Sequence, residues 1–209
     1  MRPKKLNNMP NHLVLDLETQ NLFADVGGKE NMHKLLVSVA GVFNYKDEKF
    51  LTFNEKEMKA FDDLLKKTDL IIGFNICHFD LPVLQKYVSV DLNRIPTLDI
   101  MVEVVNAVGH RVSLDDLASN TLGKKKSANG LIAVQYWREG RIDELKKYCI
   151  DDVRITRDLY EHGLKKGEIK FTARDANMPY IKTLRVDWSK YANMSGGGSS
   201  AYKVQNLFG

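Results

Sequence analysis

Leu13-Val14-Leu15-Asp16-Leu17-Glu18-Thr19 is an apolar run that ends in two carboxylates one residue apart. Its alternation predicts a strand over 12–18, because successive side chains of a strand point to opposite faces. Leu13, Leu15 and Leu17 then share one face, and Val14, Asp16 and Glu18 share the other. An edge strand with one wet face would give the same pattern. Position argues for a site instead. The acids stand at the strand's C-terminal end, ahead of a loop over 19–33 that holds Val26-Gly27-Gly28. Ligands collect at such strand ends in α/β sheets.

The rest of the chain supplies partners for that strand. Lys34 to Phe43 reads as a strand buried on both faces. Lys49 to Phe53 hairpins back across a turn at Asn44 to Glu48. Met58, Phe61, Leu64 and Leu65 recur at helical spacing within 55–67. Leu70 to Phe74 is a short buried strand. Residues 80–88 read as a helix, with Asp80 near its start and Pro82 in the first turn, where proline is tolerated. Thr97-Leu98-Asp99-Ile100 reads as another strand end, running into a helix to about residue 107. Ser113 with Asp116 opens a helix that Gly123 closes, and 129–139 and 141–164 are two more. This order predicts an α/β or α+β domain with a mixed sheet. The expected organisation is a polar arm over 1–11, one domain over 12–194 and a Gly/Ser-rich tail over 195–209.

Bulk properties narrow the function classes. The 209 residues suffice for one domain with a sizeable core. With 44% hydrophobic and 28% charged residues, the composition is that of an ordinary globular protein. A net charge of +4 is compatible with a polyanionic partner. The 2 cysteines, Cys77 and Cys149, make neither a disulfide framework nor a zinc site, and both read as buried thiols in a reducing compartment. No apolar run is long enough for a membrane span, and Met1-Arg2-Pro3-Lys4-Lys5 precedes no apolar stretch of the kind a secretory signal carries. The expectation is a cytoplasmic protein with no membrane contact.

A lone Asp or Glu is usually a solvated surface charge, so each acid needs its own argument. Asp152 resists that explanation best. Leu145, Tyr148, Cys149, Asp152, Thr156 and Leu159 form one stripe of the helix over 141–164, while Asp151 and Arg154 fall on its charged face. A carboxylate among core-facing residues is costly unless a cation or donors meet it. Tyr148 stands one turn earlier, within reach of the same spot. Asp80 has two explanations of equal weight, a site or a simple preference for acids at a helix N-terminus. Asp99 is a lesser candidate at a similar strand end, and His78 reads as a surface residue. Lys124-Lys125-Lys126 reads as a solvated loop, and Trp137 and Trp188 as packing residues. Hard oxygen ligands of the Asp/Glu type suit Mg²⁺ or Mn²⁺.

The ordered set Asp16-x-Glu18, Asp80 after Asn75 and Phe79, and Tyr148-x-x-x-Asp152 resembles the DEDD exonucleases of the ribonuclease H-like superfamily. The Tyr148-x-x-x-Asp152 spacing resembles the tyrosine subgroup. Over residues 12–170 the closest likeness is to YprB-type domains and the exonuclease domains of family B polymerases. It is carried by Asp16-Leu17-Glu18-Thr19-Gln20, Val26-Gly27-Gly28, Gly73-Phe74-Asn75, Leu98-Asp99, His110 to Ala118, Thr121-Leu122-Gly123 and Tyr148-Cys149. The resemblance implies a central five-stranded mixed sheet flanked by helices. It implies two metal ions, about 4 Å apart as in two-metal sites generally. Asp16, Glu18 and Asp152 would hold one, and Asp16 would bridge to a second completed by Asp80. It gives Tyr148 the orienting of the attacking water, and it puts Leu17, Thr19, Asn75 and Phe79 against the terminal nucleotides. It implies a 3′→5′ exonuclease on single-stranded DNA or RNA and admits a helicase or polymerase partner. The competing class is a non-catalytic nucleic-acid-binding or helicase-adaptor module. Residues 171–209 have no counterpart in the resemblance.

Overall fold

The computed structural model describes residues 11–124, 130–175, 178–192 and 194. Residues 1–10 of the arm expected over 1–11, Lys125, Lys126 and the Gly/Ser tail lie outside them. β1 (His12–Thr19) is the middle strand of a five-stranded sheet ordered β3-β2-β1-β4-β5. β2 (Val37–Asn44) and β3 (Lys49–Phe53) run as an antiparallel meander beside it. β4 (Leu70–Gly73) and β5 (Thr97–Asp99) run parallel on its other side. The sheet is therefore mixed and flanked by helices, and the polar face of β1 belongs to a central strand, not an edge.

The alternation of β1 divides the core. Leu13, Leu15 and Leu17 pack with Met58, Phe61 and Leu65 of α1 (Met58–Leu65) and with Leu81, Val83 and Leu84 of α2 (Asp80–Leu84). Val14 packs on the other side with Leu117 and Ala118 of α4 (Leu114–Leu122) and with Val153 and Leu159 of α6 (Ile142–Lys166). α6 spans 25 residues, with Asp143 and Glu144 in its first turn and Lys165 and Lys166 in its last. That charge order complements the helix dipole. The predicted stripe Leu145, Tyr148, Cys149, Asp152, Thr156 and Leu159 is buried throughout. α3 (Ile100–Val108) and α5 (Leu131–Arg138) complete the flanking layers. Among the described residues no helix is long and apolar enough to cross a membrane.

Four readings need adjustment. The helix expected over 55–67 opens as a 3₁₀ turn before α1, and that over 80–88 ends as a 3₁₀ turn after Leu84. The loop over 19–33 is built largely of two 3₁₀ segments, Phe23–Val26 and Lys29–Lys34. The stretch without a counterpart includes most of a hairpin, β6 (Glu168–Asp175) and β7 (Met178–Arg185), followed by the short α7 (Ser189–Ala192). Ile169, Phe171 and Ala173 of β6 enter the core.

Side chains of α4 bond the backbone of β6. The Asp116 carboxylate accepts from the Thr172 backbone N–H at 2.8 Å and from its hydroxyl at 2.5 Å. The Thr121 hydroxyl accepts from the Lys170 N–H at 2.8 Å and donates to the Lys170 carbonyl at 3.1 Å. Strand groups that would otherwise need a neighbouring strand are thus satisfied by a helix. Asp116 serves this contact as well as its place in the first turn of α4.

Trp188 locks the hairpin's exit onto α6. Its ring covers Gly163, where an added Cβ would stand 2.2 Å from the ring atom Cζ3. Gly163→Ala therefore overpacks this contact. The variant should lose about 1–3 kcal/mol of stability, read as a lower urea midpoint at unchanged slope. An unchanged midpoint would show that Trp188 does not pack there.

Candidate metal centre

β1 delivers Asp16 and Glu18 to one face, and a register irregularity against β2 falls between Glu18 and Thr19. Such bulges re-aim side chains and recur beside active sites. Asp16 pairs across the ladder with Gly41 of β2. A Cβ on Gly41 would stand 2.7 Å from Cys149 Sγ and 3.2 Å from Val153 Cγ2. The missing side chain lets α6 settle directly onto the sheet at this point. Cys149 Sγ then lies 3.6 Å from both the backbone oxygen and Oδ2 of Asp16. Burial pushes the Cys149 thiol far up, helped by the charges of Asp16, Glu18 and Asp152, so it stays a protonated donor.

One turn beyond Cys149, Asp152 is 2% exposed, which no solvated surface charge would be. One carboxylate oxygen from each of Asp16, Glu18 and Asp152 lies within 4.8 Å of the others. Asp151 faces outward and pairs with Arg154. The helix-face reading that separated Asp151 from Asp152 holds.

Asp80 opens α2, is 4% exposed, and lines the same cleft as the three acids. Its carboxyl is held well above the usual range, chiefly by burial and then by the charges of Asp16 and Asp99. Hydrogen bonds from the backbone at Asp80 and Leu17 act the other way. Asp99 has a different task. Its Oδ1 accepts from the N–H groups of Asn75 at 2.8 Å, Met101 at 3.0 Å and Val102 at 3.4 Å, and its Oδ2 from Cys77 at 2.9 Å. It caps α3 and ties down the turn after β4. The Cys77 thiol in that turn is pushed up to about 12, by burial first and then by Asp99. Neither cysteine is a thiolate nucleophile at neutral pH.

The cleft has a volume of about 350 Å³. Leu17, Asn75 and Phe79 line it, and Phe79 packs edge-on against Phe23 at 5.7 Å between ring centroids. Phe74, Met101, Ser113, Leu114, Asp115 and Gly130 also line it. Ser113, Leu114 and Asp115 form the start of α4, and only the tertiary fold brings that start to the cleft. Thr19 and Tyr148 are not among the cleft-lining residues described. The Thr19 hydroxyl donates to the Asn21 carbonyl at 2.7 Å. Tyr148 is buried with Val39, Ala133, Leu145 and Cys149, one turn before Asp152.

The donor set consists of hard carboxylate oxygens brought together without an intervening lysine or arginine among the described cleft-lining residues. That chemistry fits a hard divalent cation. A family model of the RNase H superfamily matches residues 13–163. The chain belongs to the RNase H superfamily. Members of that superfamily generally hydrolyse phosphodiester bonds, and its nucleases usually use divalent metals. A search of curated proteins finds no significant match.

Clustered like charges destabilise the protein when no cation is bound, and a ligand that binds only the folded state stabilises it. Mn²⁺ should therefore raise the melting temperature measured in EDTA by several degrees. Asp152→Asn should melt at or above the wild type in EDTA and lose the Mn²⁺ response. An equal Mn²⁺ shift in both proteins would place the cation elsewhere.

Proposed function

We propose that this protein is a metal-dependent 3′→5′ exonuclease of the DEDD type, tyrosine subgroup, acting on single-stranded DNA or RNA. The observation that carries the reading is the approach of Asp16, Glu18 and Asp152 within 4.8 Å, with buried Asp80 in the same cleft. A pure binding module has no need to hold mutually repelling acids together.

In this reading Asp16, Glu18, Asp80 and Asp152 would hold two Mg²⁺ or Mn²⁺ ions. When bound, such a pair supplies an activated water and stabilises charge at phosphorus and on the leaving oxygen. Hydrolysis joins the water oxygen to phosphorus and breaks the P–O3′ bond, so that a nucleoside 5′-monophosphate departs and the shortened strand keeps a 3′-hydroxyl. Leu17 and Phe79 offer apolar surface to the terminal nucleotide. Tyr148 orients the water through its hydroxyl. An ordinary phenol has a pKa of about 10, so its role is positioning and not proton abstraction. The catalytic domain is taken as 12–194, the setting as cytoplasmic, and a helicase or polymerase as the class of partner that could supply single strands.

The test is digestion of 5′-labelled single-stranded DNA and RNA with Mn²⁺, Mg²⁺ or EDTA. A metal-dependent ladder shortening from the 3′ end is expected, and the faster ladder names the preferred sugar. Asp152→Asn should lower the rate by at least roughly 10³-fold, while Asp151→Asn leaves it unchanged. Oligonucleotides bound but intact under every condition would put the adaptor reading in its place. Tyr148→Phe should lower kcat roughly 10- to 100-fold and spare the Mn²⁺-induced melting shift. An unchanged kcat would remove Tyr148 from the mechanism.

A further inference from the structure

Asn75 is held in an unusual way. Its φ of 64° lies in the left-handed region, which costs a non-glycine residue strain. Asp99 bonds its backbone N–H at 2.8 Å, and Arg111 Nη2 donates to its side-chain Oδ1 at 2.6 Å. A guanidinium has donors only, so the amide atom that meets it is the oxygen. The Asn75 NH₂ group is thereby turned away from Arg111, on a side chain that lines the cleft. Arg111 is braced a second time, its Nε meeting Sδ of Met101 at 3.1 Å. Met101 also lines the cleft. The guanidinium therefore spans two residues of the rim.

A polyanion approaching this cleft meets Asp16, Glu18, Asp80, Asp115 and Asp152. Arg111 brings a permanent positive charge to the rim. We propose that Arg111 and Asn75 form a phosphate-recognising pair, Arg111 setting the Asn75 amide so that its NH₂ donates to a non-bridging phosphate oxygen of the single strand. The inference rests on the nuclease reading and adds to it a positioning residue and the group it serves. A backbone phosphate is favoured over a base edge because the neighbouring guanidinium charge selects an anionic acceptor. Recognition of this kind is independent of base sequence.

The test compares wild type, Arg111→Ala, Arg111→Lys, Asn75→Ala and the double alanine variant on oligo-dT and oligo-dA with Mn²⁺ at several salt concentrations. Binding of the same labelled strands is measured in EDTA. Arg111→Ala should raise KM roughly tenfold and lower kcat much less, equally on both sequences. The slope of log(kcat/KM) against log salt should flatten by up to about 0.7, the loss of one positive charge beside a single-strand phosphate. Arg111→Lys should restore that slope but only part of KM, because lysine keeps the charge and loses the planar fork. In the Asn75→Ala background, Arg111→Ala should cost less than it does alone. A wild-type KM and salt slope in Arg111→Ala would overturn the inference while leaving the nuclease reading intact. So would a loss in kcat alone, which marks a structural role. A wild-type protein that neither cleaves nor binds single strands would overturn the nuclease reading, and this inference with it.

Discussion

The site depends on one close approach. Gly41 stands opposite Asp16 in the ladder, and Cys149 Sγ occupies the space where its side chain would be, 2.7 Å from the place of a Cβ. Any larger residue would have to displace Cys149 and crowd Val153, and so strain the seat of α6 on the sheet. Since Asp152 follows Cys149 by less than one turn, lifting α6 would also withdraw Asp152 from Asp16 and Glu18. Packing of Cys149 and Val153 of α6 onto the bare backbone of β2 at Gly41 thus sets the distances among side chains that meet nowhere in the sequence. The hairpin and Trp188 press on the same helix one face further along, at Gly163.

That geometry opposes the protein's own stability. At separations of no more than 4.8 Å, two ionised carboxylates repel by at least roughly 3 kcal/mol at an effective dielectric of 20. Burial first, and then the charges of Asp16 and Asp99, hold the Asp80 carboxyl well above the usual carboxylate range. The apolar layers on both faces of β1 must offset this cost until a cation does so. Asp99, equally buried, shows the contrasting arrangement. It is met by backbone N–H groups on both oxygens, which pull against the upward push of burial. Two acids near the ends of neighbouring elements thus do different work, one facing the cleft and one holding the turn that shapes it.

How far this was legible in the sequence follows from the range of each interaction. The alternation of Leu13 to Glu18 and the stripe on α6 are local, and both were readable, including the separation of Asp152 from Asp151. The hairpin was missed although Ile169, Phe171 and Ala173 alternate, because β7 contains Pro179 and leaves Met178 and Ile181 exposed. Its sheet is completed by Thr121 and Asp116 of a helix some fifty residues earlier, a contact no local pattern announces. Asp80 and Asp99 looked alike because their partners come from other elements. The cleft-facing Asp115 and the Asn75–Arg111 bond were hidden for the same reason.

The central claim is that Asp16, Glu18 and Asp152 ligate a divalent cation. Anomalous diffraction from crystals of the protein grown with Mn²⁺ tests it most directly. Manganese density is expected between those three carboxylates, at metal–oxygen bonding distance from each. Crystals that hold Mn²⁺ only at other places, with the three acids in contact with water or protein donors alone, would contradict it.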